Sequence, residues 1–230
     1  MTSKFSSGIS KYGFSKGVAC VHPQLDDDGK QVTILRSSTP SSLSTWSDPD
    51  CSAAVIPDGD MPFVLNGVPF QTWKDPPSRA QDWEVLAQAS TVDEPAFDPP
   101  EGLASAAGVV IQEPDGRIWL VCPTNQFGGY EITFPKGRTD GKSLQATAVT
   151  EAFEECGLRV RLLRHLVDVK RSTTYTRYYL AERVGGTPAA MGWESQCVLL
   201  TPRSLLGTLR LLTPDTSVVQ ALTTLSNPQH

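Results

Sequence analysis

Three glutamates, Glu151, Glu154 and Glu155, stand close together in the run EAFEECGL, residues 151–158. A lysine and a glycine, Lys136 and Gly137, precede them in FPKGR, residues 134–138. On a helix the three acids fall at i, i+3 and i+4, so they share a face with Cβ atoms roughly 5–6 Å apart. In bulk water such like-charge pairs cost under about 1 kcal/mol, whereas at an effective dielectric near 20 each costs on the order of 3 kcal/mol. Exposed acids at this spacing signify little. In a cleft they require a compensating positive charge, and hard divalent cations take oxygen ligands. Magnesium in particular is held by one or two carboxylates together with substrate phosphates. The acids also sit near a helix C-terminus, where the macrodipole opposes negative charge. A locally unfavourable cluster with no evident structural gain points to function.

The elements that must position these acids are readable. Residues 143–156 form the expected helix, with Ser143 as N-cap and Gly157 in the left-handed position that ends it. Its other side carries Leu144, Ala148, Val149, Ala152, Phe153 and Cys156, enough to pack on a sheet. Upstream, ASAAGVVIQ at 104–112 and IWLVCP at 118–123 read as strands joined by the turn EPDGR and pairing back on each other. The stretch around Lys136 and Gly137 reads as a turn. Further strands are expected near 159–168, 173–183 and 194–201. Short helices follow near 202–209 and 214–225, where Pro214 suits a first turn. This order predicts a mixed sheet with helices on its faces.

The run GRTDGKSLQATAVTEAFEECGL, residues 137–158, resembles the Nudix box, G-x5-E-x7-R-E-U-x-E-E-x-G-U with U aliphatic. Gly137 matches the first glycine. Glu151, Glu154 and Glu155 match the acids of R-E-U-x-E-E, and Gly157 with Leu158 matches its end. The chain departs from the pattern in four ways. The loop is one residue short, Lys142 falls where the first glutamate would stand, Thr150 replaces the arginine, and Ala152 is a small residue for U. The resemblance implies a Nudix-type α/β/α sandwich, spanning about 104–225, preceded by a small mostly β region. It implies hydrolysis of a pyrophosphate bond in a nucleoside diphosphate linked to another moiety, with Mg²⁺ or Mn²⁺ as cofactor. Gly137, Glu151, Glu154 and Glu155 are then the metal site. The same three glutamates are catalytic, with Glu194 the first candidate outside the box and Glu131 the second. Lys136 and Arg138, and less so Lys142, lie where they can contact phosphate oxygens. Tyr130, Phe127, Tyr175 and Trp193 are candidate base-stacking aromatics. ADP-ribose, dinucleoside polyphosphates, nucleotide sugars and nucleoside triphosphates are all open as substrates. The alternatives are a nucleotide-binding or sensor module with little catalysis, and an RNA 5′-end pyrophosphohydrolase or effector.

Composition frames this reading. The 230 residues carry a net charge of −5, which weighs against a nucleic-acid partner bound through broad basic surface. Five unpaired cysteines without a C-x-x-C motif read as buried free thiols in a reducing compartment. No apolar run is long enough to cross a membrane, and the serine-rich segment 1–14 has no signal-like core, so a cytoplasmic location is expected. The first hundred residues hold 11 of the 18 prolines and short strand-like pieces at 31–36, 53–57 and 63–70. In the last of these, Asn66-Gly67 marks a type I′ hairpin. Residues 90–102 read as a linker. The expected division is a β-rich region of unassigned role at 1–100 and a catalytic domain at 101–230. A homodimer stays open.

Overall fold

Between Ile111 and Arg117 the chain leaves one sheet and enters another. The computed structural model describes residues 18–89 and 92–225. The segment 1–14 and the first two residues of the 90–102 connection therefore lie outside the described residues. Strand β6 (Ala104–Ile111) runs parallel to β10 (Thr174–Gly186), and the other edge of β10 takes β9 (Leu158–Lys170) antiparallel. With β8 (Lys136–Arg138) this makes a mixed sheet in the order β8-β6-β10-β9. Strand β7 (Arg117–Pro123) instead pairs with β11 (Ser195–Pro202), whose far edge takes β3 (Ala53–Val55). The expected pairing of 104–112 with 118–123 is thus reduced to a lone bridge between Gln112 and Ile118. Both runs are apolar on both faces, from Val109 to Ile111 and from Ile118 to Val121, and all seven residues are fully buried. Strands of that kind need cover on each face. The split into two sheets supplies it.

The alternation along β6 shows how the layers close. Ala107, Val109 and Ile111 join one core with Ala148, Val149 and Ala152 of helix α2 (Leu144–Cys156). Val110 joins a second core with Val218 and Leu222 of helix α3 (Thr213–Leu225). The outcome is the expected α/β/α arrangement with a mixed sheet. Helix α2 begins and ends as its sequence predicts. The Ser143 hydroxyl accepts from the Ala146 N–H at 3.2 Å, and Gly157 takes φ 65°. A Cβ on Gly157 would meet the Thr187 carbonyl at 2.3 Å, so no other residue fits there.

The stretch around Lys136 and Gly137 is a short edge strand and not a turn. Lys136 pairs with Gly108, and Arg138 with Ala106. The close approach depends on Gly108, where a Cβ would lie 2.8 Å from that of Lys136. The turn itself comes later, at Asp140 and Gly141, both with positive φ.

Residues 18–89 are built onto this frame. Strand β3 extends the sheet of β11. A hairpin of β1 (Cys20–Leu25) and β2 (Gln31–Ile34) lies beside it in sequence, and β4 (Val64–Leu65) with β5 (Val68–Pro69) closes the Asn66-Gly67 turn. Asn66 and Gly67 have φ 50° and 79°, the left-handed pair that a type I′ turn needs. Helix α1 (Ala80–Gln88), which the sequence reading did not place, packs on α2. Its Glu84 accepts from both the N–H and the hydroxyl of Ser143. Trp73 and Trp83 pack edge-on and tilted against Phe153 of α2. Among the cysteines, Cys122, Cys156 and Cys197 are buried free thiols, while Cys20 is exposed and Cys51 half-buried. Among the described residues, no helix is long and apolar enough to cross a membrane.

Candidate active site

Helix α2 does not present its three glutamates equally. Glu151 and Glu155, one turn apart, are each 7% exposed, whereas Glu154 lies at the exposed rim. Strand β8 lies directly over the buried pair. The Lys136 N–H donates to Glu155 Oε2 at 2.9 Å. Gly137 meets the other carboxylate so closely that a Cβ there would stand 2.0 Å from Glu151 Oε1. Burial and mutual repulsion set the electrostatics. Burial is the main reason that the Glu151 carboxyl titrates well above its usual range, and Glu155, Glu154 and Glu194 push it further. Burial likewise lifts Glu155 to about 7, against the pull of the Lys136 ammonium. These are carboxylates whose ionised form lacks compensation.

Two further acids complete the rim. Glu194 precedes β11, and its carbonyl accepts from the Thr124 N–H at 2.7 Å. Its carboxyl titrates high through the shelter it has and through Asp27, while Lys136 opposes the shift. Glu154 is raised by partial shelter, eased by Lys142, and raised again by Glu194 and Asp27. Asp27 comes from the β1–β2 hairpin, where it accepts from the Trp193 indole N–H at 3.2 Å. Sequence reasoning found nothing functional before residue 100 and missed it. The acidic tip Asp26-Asp27-Asp28-Gly29 was its only signal.

Of the candidates read from sequence, Lys136, Gly137, Glu151 and Glu155 come together, with Glu154 and Glu194 beside them. Arg138 is exposed and is not among the charges that act on the acids, whereas Lys142 acts on Glu154. Glu131 faces elsewhere, 3.6 Å from Arg210. Tyr130 stacks under the Lys136 ammonium, 4.9 Å from the ring centre, and its hydroxyl accepts from Arg171. Tyr175 is already stacked on Phe97. Thr150 is fully buried, and its hydroxyl donates to the Ala146 carbonyl one turn back.

Residues 102–219 match the family model described as the NUDIX domain. The chain belongs to the NUDIX family. An RNA pyrophosphohydrolase from Caulobacter vibrioides (strain NA1000 / CB15N) is 36% identical over 92 residues, 39% of this chain and 50% of that protein. The chain therefore spans about half the length of this relative. Two solved structures are similar to part of the chain at low identity. A NUDIX hydrolase from Nitrosomonas europaea is 11% identical over 53% of this chain and 89% of its own, with a TM-score of 0.45. An Ap4A hydrolase from C. elegans is 16% identical over 54% of this chain and 98% of its own, also with a TM-score of 0.45.

Members of the NUDIX family typically use a divalent metal, and the donor set here suits one. Every candidate ligand is a hard oxygen, and ionising both Glu151 and Glu155 would place more negative charge in the site than Lys136 offsets. The missing side chain at Gly137 lets the Glu151 carboxylate lie directly against the β8 backbone. Among the described residues, no three His, Cys, Asp or Glu side chains stand together as a ready metal shell.

Proposed function

We propose that this NUDIX domain hydrolyses a pyrophosphate bond in a nucleoside diphosphate linked to a second group, with Mg²⁺ or Mn²⁺ as cofactor. One observation carries the reading: two buried carboxylates one turn apart, under-compensated and roofed by a glycine strand. The ion, when bound, supplies charge neutralisation to the pyrophosphate oxygens. Glu155, Glu151, Glu154 and the Gly137 backbone are the residues that would hold it. The Lys136 N–H keeps the Glu155 carboxylate oriented, and the Lys136 ammonium sits where it can meet a phosphate oxygen. Arg138, exposed on the same strand, is a secondary phosphate contact. Glu151 or Glu194 accepts the proton of the attacking water, which a carboxylate of raised basicity does well near neutral pH. We assign this chemistry to residues 101–230. Of the N-terminal region, residues 18–89 act as a β-rich buttress, and a cytoplasmic enzyme is the setting that fits the free thiols.

A second reading, a nucleotide-binding module with little catalysis, draws support from Lys142. An ammonium facing Glu154 takes part of the charge that a metal ion would balance. The likeness to an RNA pyrophosphohydrolase adds triphosphorylated RNA 5′ ends to the substrates to be tried, although a net charge of −5 disfavours RNA. The deciding experiment is product release from ADP-ribose, dinucleoside polyphosphates, nucleotide sugars, nucleoside triphosphates and 5′-triphosphorylated RNA, with and without Mg²⁺. Turnover that requires the ion supports the hydrolase. Nucleotide binding without turnover of any of them supports the module.

A further inference from the structure

The segment from Thr124 to Gly129 has an uncommon backbone. Asn125 and Gln126 both lie in the left-handed region, with φ 54° and 58°, and Gly128 and Gly129 follow with φ 66° and 80°. Asparagine tolerates that region. Glutamine does not favour it, and two such residues in succession persist only where the surroundings fix them.

The β1–β2 hairpin provides that fixing. The Asn125 side chain inserts beside β2 as a further strand would. Its Nδ2 donates to the Thr33 carbonyl, and its Oδ1 accepts from the Leu35 N–H, both at 2.8 Å. The Asn125 N–H in turn donates to Gln196 Oε1 at 2.8 Å. The same hairpin receives the Trp193 indole N–H on Asp27. One N-terminal element thus holds both the loop and the segment bearing Glu194.

Both ends of the loop are rooted at the acid site. Thr124 bonds the backbone of Glu194 and Trp193. Tyr130, at the other end, lies under the Lys136 ammonium. Between them Phe127 is 83% exposed. The loop spends strain and a dedicated amide clamp to hold an aromatic ring in water between Thr124, bonded to the Glu194 backbone, and Tyr130, under the Lys136 ammonium. Tyr175, another candidate aromatic, already stacks on Phe97.

We propose that the 124–129 loop, templated by the β1–β2 hairpin, presents Phe127 as the platform on which the substrate's nucleobase stacks. This rests on the reading of the acid cluster as a nucleotide pyrophosphate site. Phe127 sets affinity for the base, and Asn125 is the positioning residue that keeps the ring in place. The hairpin supplies no chemistry to the phosphates and yet determines which molecules reach them.

The test is equilibrium binding to the full chain in the presence of Mg²⁺, with ADP, GDP, CDP and UDP as probes and inorganic pyrophosphate as the base-free control. At least one nucleotide binds the parent protein. Phe127→Ala weakens that nucleotide by roughly 5- to 100-fold, the range for removing one stacking aromatic, and Phe127→Trp restores it. Neither substitution changes pyrophosphate affinity. Asn125→Gly, which keeps the backbone accessible but removes the clamp, weakens the nucleotide and spares pyrophosphate. In turnover the loss falls on KM and leaves kcat within about threefold, as for a contact made equally in ground and transition states. Equal nucleotide affinity in Phe127→Ala and parent overturns the proposal. So does an equal loss for nucleotide and pyrophosphate, or a parent that binds no nucleoside diphosphate. If the base effect is present but no substrate turns over, the hydrolase reading fails and this one stands.

Discussion

Replacing Gly137 by alanine is the sharpest perturbation of the acid site, because it adds one methyl group where the strand roofs the helix. The new Cβ would stand 2.0 Å from Glu151 Oε1, 2.4 Å from its Cδ and 2.7 Å from Oε2. Ordinary contact begins near 3.4 Å, so the carboxylate must retreat by more than an ångström. The backbone cannot give instead, since β8 is held to β6 on one side and Lys136 is bonded to Glu155 on the other. The methyl itself fits the strand conformation, because Gly137 is not in the left-handed region. The expected outcome is therefore a folded protein with a displaced Glu151. A misplacement of about 1 Å in a catalytic constellation costs on the order of 10²-fold in rate. The assay is steady-state hydrolysis together with Mn²⁺ affinity by water-proton relaxation, with thermal unfolding as the control for folding. A Gly137→Ala protein that unfolds as the parent does and keeps both turnover and Mn²⁺ affinity within twofold would refute the placement of Glu151 in the site.

Three other outcomes are expected. Glu155→Gln removes a desolvated charge, so the metal-free protein at pH 8 should melt no lower than the parent while activity falls roughly 10²- to 10⁴-fold; unchanged turnover would exclude Glu155. The pH dependence of stability follows from a carboxyl whose folded pKa is raised to about 7. The folded state holds that proton more tightly than the unfolded state, so metal-free stability is greatest below the ordinary carboxyl range and is lost as pH climbs towards 7. Glu151 acts in the same direction. Urea midpoints at pH 5 and pH 8 should differ in that sense without Mg²⁺ and converge with it, and equal metal-free midpoints would contradict the burial of the pair. Thr150→Arg restores the family's arginine, but Thr150 is fully buried against its own helix. Overpacking and a buried charge should cost about 3 kcal/mol, read as a drop of roughly 10 °C in Tm. An unchanged Tm would mean that the guanidinium finds an exit towards Glu154.

What the sequence made legible was set by short-range chemistry. Ser143 and Gly157 delimit α2 because capping involves only neighbours three or four residues away. Asn66-Gly67 declares its turn because few residues accept two left-handed positions. The spacing of Glu151, Glu154 and Glu155 identified the acid helix. Their spacing could not tell that two would be buried and one exposed, since that depends on where β8 lands. Nor could it favour Lys142 over Arg138, which the loop and strand distribute differently from their order in the chain. The split of β6 from β7, the addition of β3 to β11 and the arrival of Asp27 beside Glu194 are pairings between distant segments. Such contacts leave no periodicity in either partner. Helix α1 was obscured for another reason: its nine residues are flanked by prolines and follow a proline-rich stretch that reads as loop.

The addition of β3 to the edge of β11 also bears on how the protein is made. A chain synthesised from its N-terminus releases Ala53, Ala54 and Val55 well before their partners Leu200, Leu199 and Val198. Until then β3 offers an unpaired edge of three residues that are all buried in the finished fold. The nascent N-terminal region cannot complete its core as an independent unit and must wait, with Trp46 and Trp83 short of the partners that bury them. Exposed apolar edges of this kind are where aggregation competes with folding. Closure of β3 on β11 therefore comes late, and conditions that slow translation between Val55 and Val198 would prolong this exposed state.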